Sequence, residues 1–153
     1  MKLVFLSAEF YKDYADCSEI EQKPTRPYIR IGVLINGVLW AVPFRSNIRH
    51  EYVIWTNEAK RCGMDFSKAV VIVDPERYID SAVPHLRGEE FTVLKTINAH
   101  AIEAKMAQFI GTYKKAKRAP NVPRNKRLLT YSTLQYFEEY IPCLLYTSPS
   151  PRD

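Results

Sequence analysis

The chain has 153 residues, of which 46% are apolar, and this length and composition fit a single domain with a packed core. Its apolar runs are too short for a membrane span or a secretory signal, so we expect a cytoplasmic protein. The 22 Lys and Arg residues outnumber the 17 Asp and Glu residues, and the net charge of +5 favours a polyanionic partner.

The sequence contains no pattern for a bound metal or cofactor. Cys17, Cys62 and Cys143 are widely spaced and form no CxxC pair, so we expect free thiols and neither a disulfide framework nor a zinc site. There is also no phosphate-binding glycine motif, no HExxH and no carboxylate cluster for magnesium. We therefore predict no cofactor and no metal.

The first half of the chain reads mainly as short strands. They are predicted over residues 2–6, 28–35, 38–42, 52–55 and 69–73. Ser7 is placed to cap a helix that ends near Cys17. Asn36-Gly37 predicts a tight hairpin, and Pro43 marks a strand end or a sheet edge. Residues 62–65 are predicted to form a turn.

The second half has helical periodicity. One long helix is predicted from Glu89 to Arg118, and a shorter one over about 132–140. Residues 142–153 break with the preceding pattern and resemble a translated sequencing adapter. We therefore expect one domain over residues 1–141, followed by a non-native tail.

A polar, cationic segment follows the predicted strand 38–42. It contains Arg45, Ser46, Asn47, Arg49 and His50. RNA can be cut without metal when a base takes the 2′-hydroxyl proton, an acid protonates the departing oxygen, and cations stabilise the phosphorane. Arginine binds phosphate, histidine titrates near neutrality and serine donates hydrogen bonds. By composition alone, however, such a segment is more often solvated surface.

A second cationic run contains no acidic residue. It comprises Lys114, Lys115, Lys117, Arg118, Arg124, Lys126 and Arg127. Such a run is suited to following a phosphate backbone. The alternative, a helix end that complements its dipole followed by a solvated loop, explains the same pattern equally well.

Several stretches together resemble the type III toxin–antitoxin toxins, most closely the CptN and TenpN branch of the ToxN/AbiQ family. They are Arg26-Pro27-Tyr28, Ile35-Asn36-Gly37, the segment from Ala41 to His50, and the segment from Asp65 to Ile72. The resemblance covers nearly all of residues 1–141. It implies an α+β fold with a MazF-like twisted antiparallel sheet or partial barrel surrounded by helices.

The resemblance also implies a function. The toxins of this family are sequence-selective, metal-independent endoribonucleases, each inhibited by a repeat-derived RNA antitoxin that folds into pseudoknots. Toxin and RNA close into a cyclic protein–RNA assembly, usually in phage defence by abortive infection. Two alternatives remain open: a non-catalytic nucleic-acid-binding module, and a MazF-like type II toxin with a protein antitoxin.

Matching this chain to the family motif that follows the hairpin assigns expected roles to several residues. Ser46 matches it directly, Arg45 stands where the ToxN branch has Thr, and Tyr28 stands where it has Lys. The missing cation would come from Arg26, Arg30 or Lys68. We expect Arg45 and Arg49 to hold the scissile phosphate, Ser46 to orient it and His50 to act as acid or base. Tyr28 and Arg26 are second-line site residues.

Overall fold

The computed structural model describes residues 2–30, 37–82, 84, 88–142 and 144. Its strands are β1 (Lys2–Phe5), β2 (Pro27–Arg30), β3 (Trp40–Arg45), β4 (Val53–Asn57), β5 (Cys62–Asp65) and β6 (Val70–Val71). Its α-helices are α1 (Ala8–Asp13), α2 (Pro75–Tyr78), α3 (Gly88–Thr96), α4 (Ala99–Arg118) and α5 (Pro123–Tyr131). Short 3₁₀ helices span Glu58–Lys60, Phe66–Lys68, Thr133–Tyr136 and Glu138–Tyr140.

The described strands form one antiparallel sheet, and the α+β prediction is confirmed. Their order is β1-β2-β3-β5-β4, with β6 also paired to β3. Within the described ranges the sheet stays open and does not close into a barrel. The long helix α4 lies in the C-terminal half, as predicted, and buries Ile102, Met106, Phe109 and Tyr113 in the core. No described helix has both the length and the apolar character needed to cross a membrane.

Pro43 lies inside the central strand β3, so the prediction that it marks a strand end or sheet edge was wrong. It faces Tyr28 of β2. On its other side, β3 pairs with β6 through Trp40 and Ala41 and with β5 from Phe44 onward. Pro43 therefore sits where β3 changes partners, and a missing amide hydrogen is tolerated at such an interruption of the ladder.

Residues 62–65 form strand β5, which corrects the predicted turn. Gly63 permits this strand to lie close to β4, because a Cβ atom there would come 2.9 Å from the Cα atom of Trp55. Glycine and aspartate are poor strand formers, and packing against two neighbouring strands overrides that preference here. β5 brings Asp65 into the interior of the protein.

The helix predictions were partly correct. Ser7 caps α1, accepting a hydrogen bond from the Phe10 amide at 3.2 Å, but α1 ends earlier than predicted. The predicted helix from Glu89 to Arg118 is divided, because the Asn98 side chain accepts from the His100 amide and starts α4 anew. Residues 132–140 form 3₁₀ helices, not an α-helix. The second cationic run extends into α5, a helix that the sequence patterns did not predict.

Some expectations fall on residues outside the described ranges. They include much of the predicted strand 28–35, the Asn36 half of the hairpin, and nearly all of the tail 142–153. The described tail residue Leu144 is buried against the hydrophobic core.

Candidate functional site

The loop from Ser46 to Arg49, which follows β3, is pinned at its centre. Ile48 is buried, its amide donates to the Arg61 carbonyl at 3.1 Å, and its carbonyl accepts from Arg61 Nε at 2.8 Å. Asn47 adopts a left-handed conformation with φ of 56°, which asparagine tolerates better than most residues. Ser46, Asn47 and Arg49 are exposed. The loop therefore presents polar side chains from a fixed backbone.

Two arginines line an open depression of about 340 Å3 beside this loop. Its walls are Asn47, Ile48, Arg49 and Arg61. Within the described part of the chain, Arg49 has no ion-pair partner, whereas Arg61 lies 3.6 Å from the exposed Glu51 carboxylate. Guanidinium groups bind phosphate oxygens with paired hydrogen bonds, so this depression is suited to a phosphate group.

One buried carboxylate, that of Asp65, holds the residues that flank the loop. Arg45 Nη1 donates to Asp65 Oδ2 at 2.7 Å, and His50 Nε2 lies 3.2 Å from Oδ1. The Ser67 hydroxyl and amide also donate to Oδ1, at 2.6 and 3.0 Å. Since Arg45 precedes the loop and His50 follows it, Asp65 fixes both of its ends.

These contacts keep Asp65 ionised. Burial alone would raise its pKa, but its hydrogen bonds with His50, Ser67 and Arg45 and its electrostatic interaction with His50 outweigh that cost. The pKa of Asp65 therefore lies below its ordinary value. A carboxylate that is ionised at neutral pH and accepts from several donors is a stable anchor for the loop.

Both ring nitrogens of His50 are engaged. Nδ1 accepts a hydrogen bond from the Tyr52 amide at 3.1 Å, which places the hydrogen of the neutral ring on Nε2. Nε2 faces Asp65 and also lies 3.1 Å from the Ser67 hydroxyl. The arrangement differs from a Ser-His-Asp triad, in which serine and aspartate contact opposite ring nitrogens. In this geometry His50 connects β5 to the loop.

A second cluster lies on the other side of Arg45. Arg26 Nη1 donates to the Phe44 carbonyl at 2.6 Å. Glu21 Oε2 lies 3.6 Å from Arg26 Nη2 and 3.8 Å from Arg45 Nε. The Tyr28 side chain is wholly buried nearby, and burial raises the pKa of its hydroxyl well above the ordinary value. Tyr28 is therefore a neutral hydrogen-bond donor at any physiological pH.

The structure brings some predicted residues together and separates others. Arg26, Tyr28, Arg45 and His50 lie in one connected polar region. Lys68 is near it, but its ammonium group already donates to Glu19 Oε1 at 3.1 Å and to the Tyr131 carbonyl at 2.7 Å. Arg30 lies further along β2, opposite Ala41. The roles of these side chains in RNA cleavage stay predictions.

The second cationic run forms a basic surface at the end of α4 and on α5, which we call the α4–α5 surface. Its residues are Lys114, Lys115, Lys117, Arg118, Arg124, Lys126 and Arg127. All are exposed except Lys114 and Lys117, which are half-buried, and Lys117 pairs with Glu138 at 3.1 Å. The surface borders the site through Lys68, which contacts the end of α5 at Tyr131.

Sequence reasoning missed four residues of the site. Asp65 and Ser67 lie in the stretch that resembles the toxin family, but Lys68 is the one residue of that stretch that the sequence analysis predicted to belong to the site. A buried aspartate and serine beside a strand can be found only once the strand β5 is known. Glu21 and Arg61 carry no local signal, because long-range folding brings them to the site.

Comparisons of this chain with models of protein families, with curated proteins and with solved structures found no match. Among the described residues, no three His, Cys, Asp or Glu side chains come together in a way that could hold a metal ion. Cys17 and Cys62 are free thiols.

Proposed function

We propose that this protein is a metal-independent endoribonuclease, the toxin of a type III toxin–antitoxin system that acts in the cytoplasm. The observation that carries the proposal is the depression lined by Arg49 and Arg61 at the loop that also contains the exposed Ser46. A buried carboxylate fixes both ends of the loop that presents it. The resemblance of segments 41–50 and 65–72 to the toxin family supports the same assignment.

In the proposed reaction the 2′-hydroxyl of RNA attacks the adjacent phosphorus. A base accepts the hydroxyl proton, the bond to the 5′-oxygen breaks, and an acid returns a proton to that oxygen, leaving a 2′,3′-cyclic phosphate. Arg49 and Arg61 would hold the non-bridging oxygens, and the Ser46 hydroxyl would orient them. Such preorganised cations act most strongly where negative charge grows in the transition state.

His50 is the acid or base candidate in this proposal. To exchange a proton it must give up either the Tyr52 amide at Nδ1 or Asp65 at Nε2. We expect His50→Ala to lower the cleavage rate about 100-fold or more, the range in which general acid–base catalysis contributes. A His50→Ala protein that cleaves RNA at the parental rate removes His50 from this role.

The proposed partners are substrate mRNA and an RNA antitoxin of pseudoknot repeats, assembled with the toxin into a closed ring. The α4–α5 surface supplies cations for the antitoxin or substrate backbone. Phage defence by abortive infection is the proposed biological role. Tandem repeats in the DNA just upstream of the gene are expected, and sequencing that DNA tests for them.

The experiment for the activity is incubation of the purified protein with mixed RNA and excess chelator. Fragments ending in 2′,3′-cyclic phosphate are expected, and Arg49→Ala with Ser46→Ala serves as the matched control for a contaminating nuclease. Absence of such ends, with the protein folded, overturns the proposed cleavage.

A non-catalytic RNA-binding module is the second candidate. Two observations favour it: both ring nitrogens of His50 are engaged, and Arg45 is already paired with Asp65. This candidate predicts salt-dependent RNA binding with no cyclic-phosphate products, so the same incubation separates the two functions.

A further inference from the structure

The contact of Glu21 with its two arginines is loose. Its Oε2 atom lies 3.6 Å from Arg26 Nη2 and 3.8 Å from Arg45 Nε, and both distances exceed that of a normal hydrogen bond. The Glu21 side chain is 22% exposed, and it belongs to the segment between α1 and β2 that has no regular secondary structure. Glu21 therefore lies near the two guanidinium groups but accepts no normal hydrogen bond from either.

Three buried donors in this cluster have no hydrogen-bond partner among the described residues. They are Arg26 Nε, the Tyr28 hydroxyl and Arg45 Nε. Tyr28 faces Pro43 across the sheet, and alternate residues of a strand point to the same side, so Arg45 shares the face of the sheet on which Tyr28 lies. Unpaired buried donors are costly, which makes this cluster a place where an acceptor group binds favourably.

The cluster borders an open depression of about 340 Å3. Segment 18–22, Arg45 and Lys68 line it, so Glu21 itself forms part of the wall. This volume exceeds that of a single phosphate group, and the depression is open to solvent. A polyanion can therefore reach Arg45 from outside the protein.

With Glu21 in place, the charges of the cluster cancel. Three cations face three carboxylates: Arg26, Arg45 and Lys68 against Glu19, Glu21 and Asp65. Asp65 and Glu19 are held by short hydrogen bonds, whereas Glu21 is not. If another anion bound in this cluster while Glu21 stayed in place, the cluster would carry excess negative charge. The anion therefore binds without that excess only if Glu21 moves out to solvent.

We propose that Glu21 occupies a phosphate subsite formed by Arg26, Tyr28 and Arg45, and that a phosphate group of an RNA backbone displaces it. This inference rests on the proposed function, since it names a subsite for the same substrate. A phosphate suits the subsite better than a carboxylate, because it offers more acceptor oxygens to the unpaired donors of this cluster. Glu21 then acts as an internal competitor that weakens RNA binding.

The test is the affinity of the full chain for a short 2′-O-methyl RNA, which binds but cannot be cleaved. Glu21→Gln removes the competing charge and is expected to tighten binding about tenfold. Glu9→Gln is the control, because it makes the same charge change on α1, where the carboxylate pairs with Arg77. It should change the affinity by less than about twofold.

A third variant tests whether the increase in RNA affinity arises at this subsite. Arg26→Gln in the Glu21→Gln background should remove most of the increase, because it deletes one arm of the subsite. If Glu21→Gln fails to fold, Glu21→Asp, which retracts the carboxylate by one methylene, should also tighten binding, by a smaller factor. An affinity that is unchanged or weaker in the folded Glu21 variant overturns the subsite.

The outcomes for the subsite and for the ribonuclease are separable. Tighter binding of the uncleavable RNA without any cleavage of normal RNA retains the phosphate subsite and rejects the enzyme. Cleavage of normal RNA with unchanged binding in the Glu21 variant retains the enzyme and rejects the subsite.

Discussion

The two carboxylates that flank Arg45 differ in every physical respect. Asp65 is wholly buried, accepts short hydrogen bonds from Arg45 and Ser67, contacts His50 and has a lowered pKa. Glu21 is partly exposed and lies beyond hydrogen-bond distance from both of its arginines. The same guanidinium group thus has one saturated partner and one loose partner.

This difference separates a structural contact from an exchangeable one. Removing a partner from a saturated buried ion pair leaves an uncompensated charge and is strongly destabilising. Removing a partly exposed carboxylate that lies beyond hydrogen-bond distance costs little, because no normal hydrogen bond is lost. Asp65 therefore holds the loop, whereas Glu21 is free to be replaced by a ligand.

The largest expected effect is that of Asp65→Ala. We expect it to lower the free energy of unfolding by about 3–5 kcal/mol, because it leaves Arg45 and Ser67 without their acceptor. Urea denaturation measures the change. Glu21→Ala is the matched variant on the other side of Arg45, and its cost should be below about 1 kcal/mol. Equal losses in the two variants would remove the distinction between the two carboxylates.

The next effect concerns Gly63, which lets β5 carry Asp65 into the interior. We expect Gly63→Ala to destabilise the protein by about 1–3 kcal/mol or more, because the added methyl group meets the backbone of β4. Gly111→Ala is the control: a Cβ atom there meets nothing within 4 Å, and alanine favours the helix by about 1 kcal/mol. Thermal unfolding should shift in opposite directions for the two variants.

The lowered pKa of Asp65 predicts a pH dependence of stability. Because its folded pKa lies below the unfolded value of about 3.9, the stabilisation is complete above that value and is lost as the pH falls through the folded pKa. We expect the difference in unfolding free energy between the parent and Asp65→Asn to shrink below about pH 4. A difference that stays constant down to pH 2 would contradict an ionised Asp65 in the folded protein.

The smallest effect is expected for the α4–α5 surface, whose cations pair with neither Asp65 nor Glu21. Replacing Lys115, Arg118 and Arg127 by Gln should lower the salt slope of RNA binding by about 1 per cation that contacts phosphate. Folding stability should change little, because all three are exposed. An unchanged salt slope would show that this surface does not contact the RNA backbone.

The features that could be predicted from the sequence are those that depend on neighbouring residues in the chain. Ser7 was found as a cap because a cap needs only its own helix, and the first part of β3 and most of β4 were found from their apolar composition. The long helix α4 was found from its period. Its true start was missed, because the Asn98 cap lies inside an otherwise continuous helical pattern.

Long-range contacts account for what could not be predicted. Asp65 meets Arg45 because β3 and β5 pair with Arg45 opposite Gly63, and this register depends on the whole sheet. Glu21 reaches the same arginine only after the segment between α1 and β2 folds over the sheet. The loop of Ser46 and Arg49 was visible as a polar segment, whereas the carboxylates on either side of it were not.

The most direct test of the central claim is a single-turnover RNA cleavage rate with chelator and saturating protein. Saturation removes differences in affinity, so the rate reports the chemical step. Arg49→Ala should lower it about 100-fold, as expected when a cation that stabilises the transition state is lost, while Arg118→Ala on the α4–α5 surface should leave it unchanged. Equal rates in the two variants, or a larger loss in Arg118→Ala, would contradict a reaction centre at the Arg45–His50 segment.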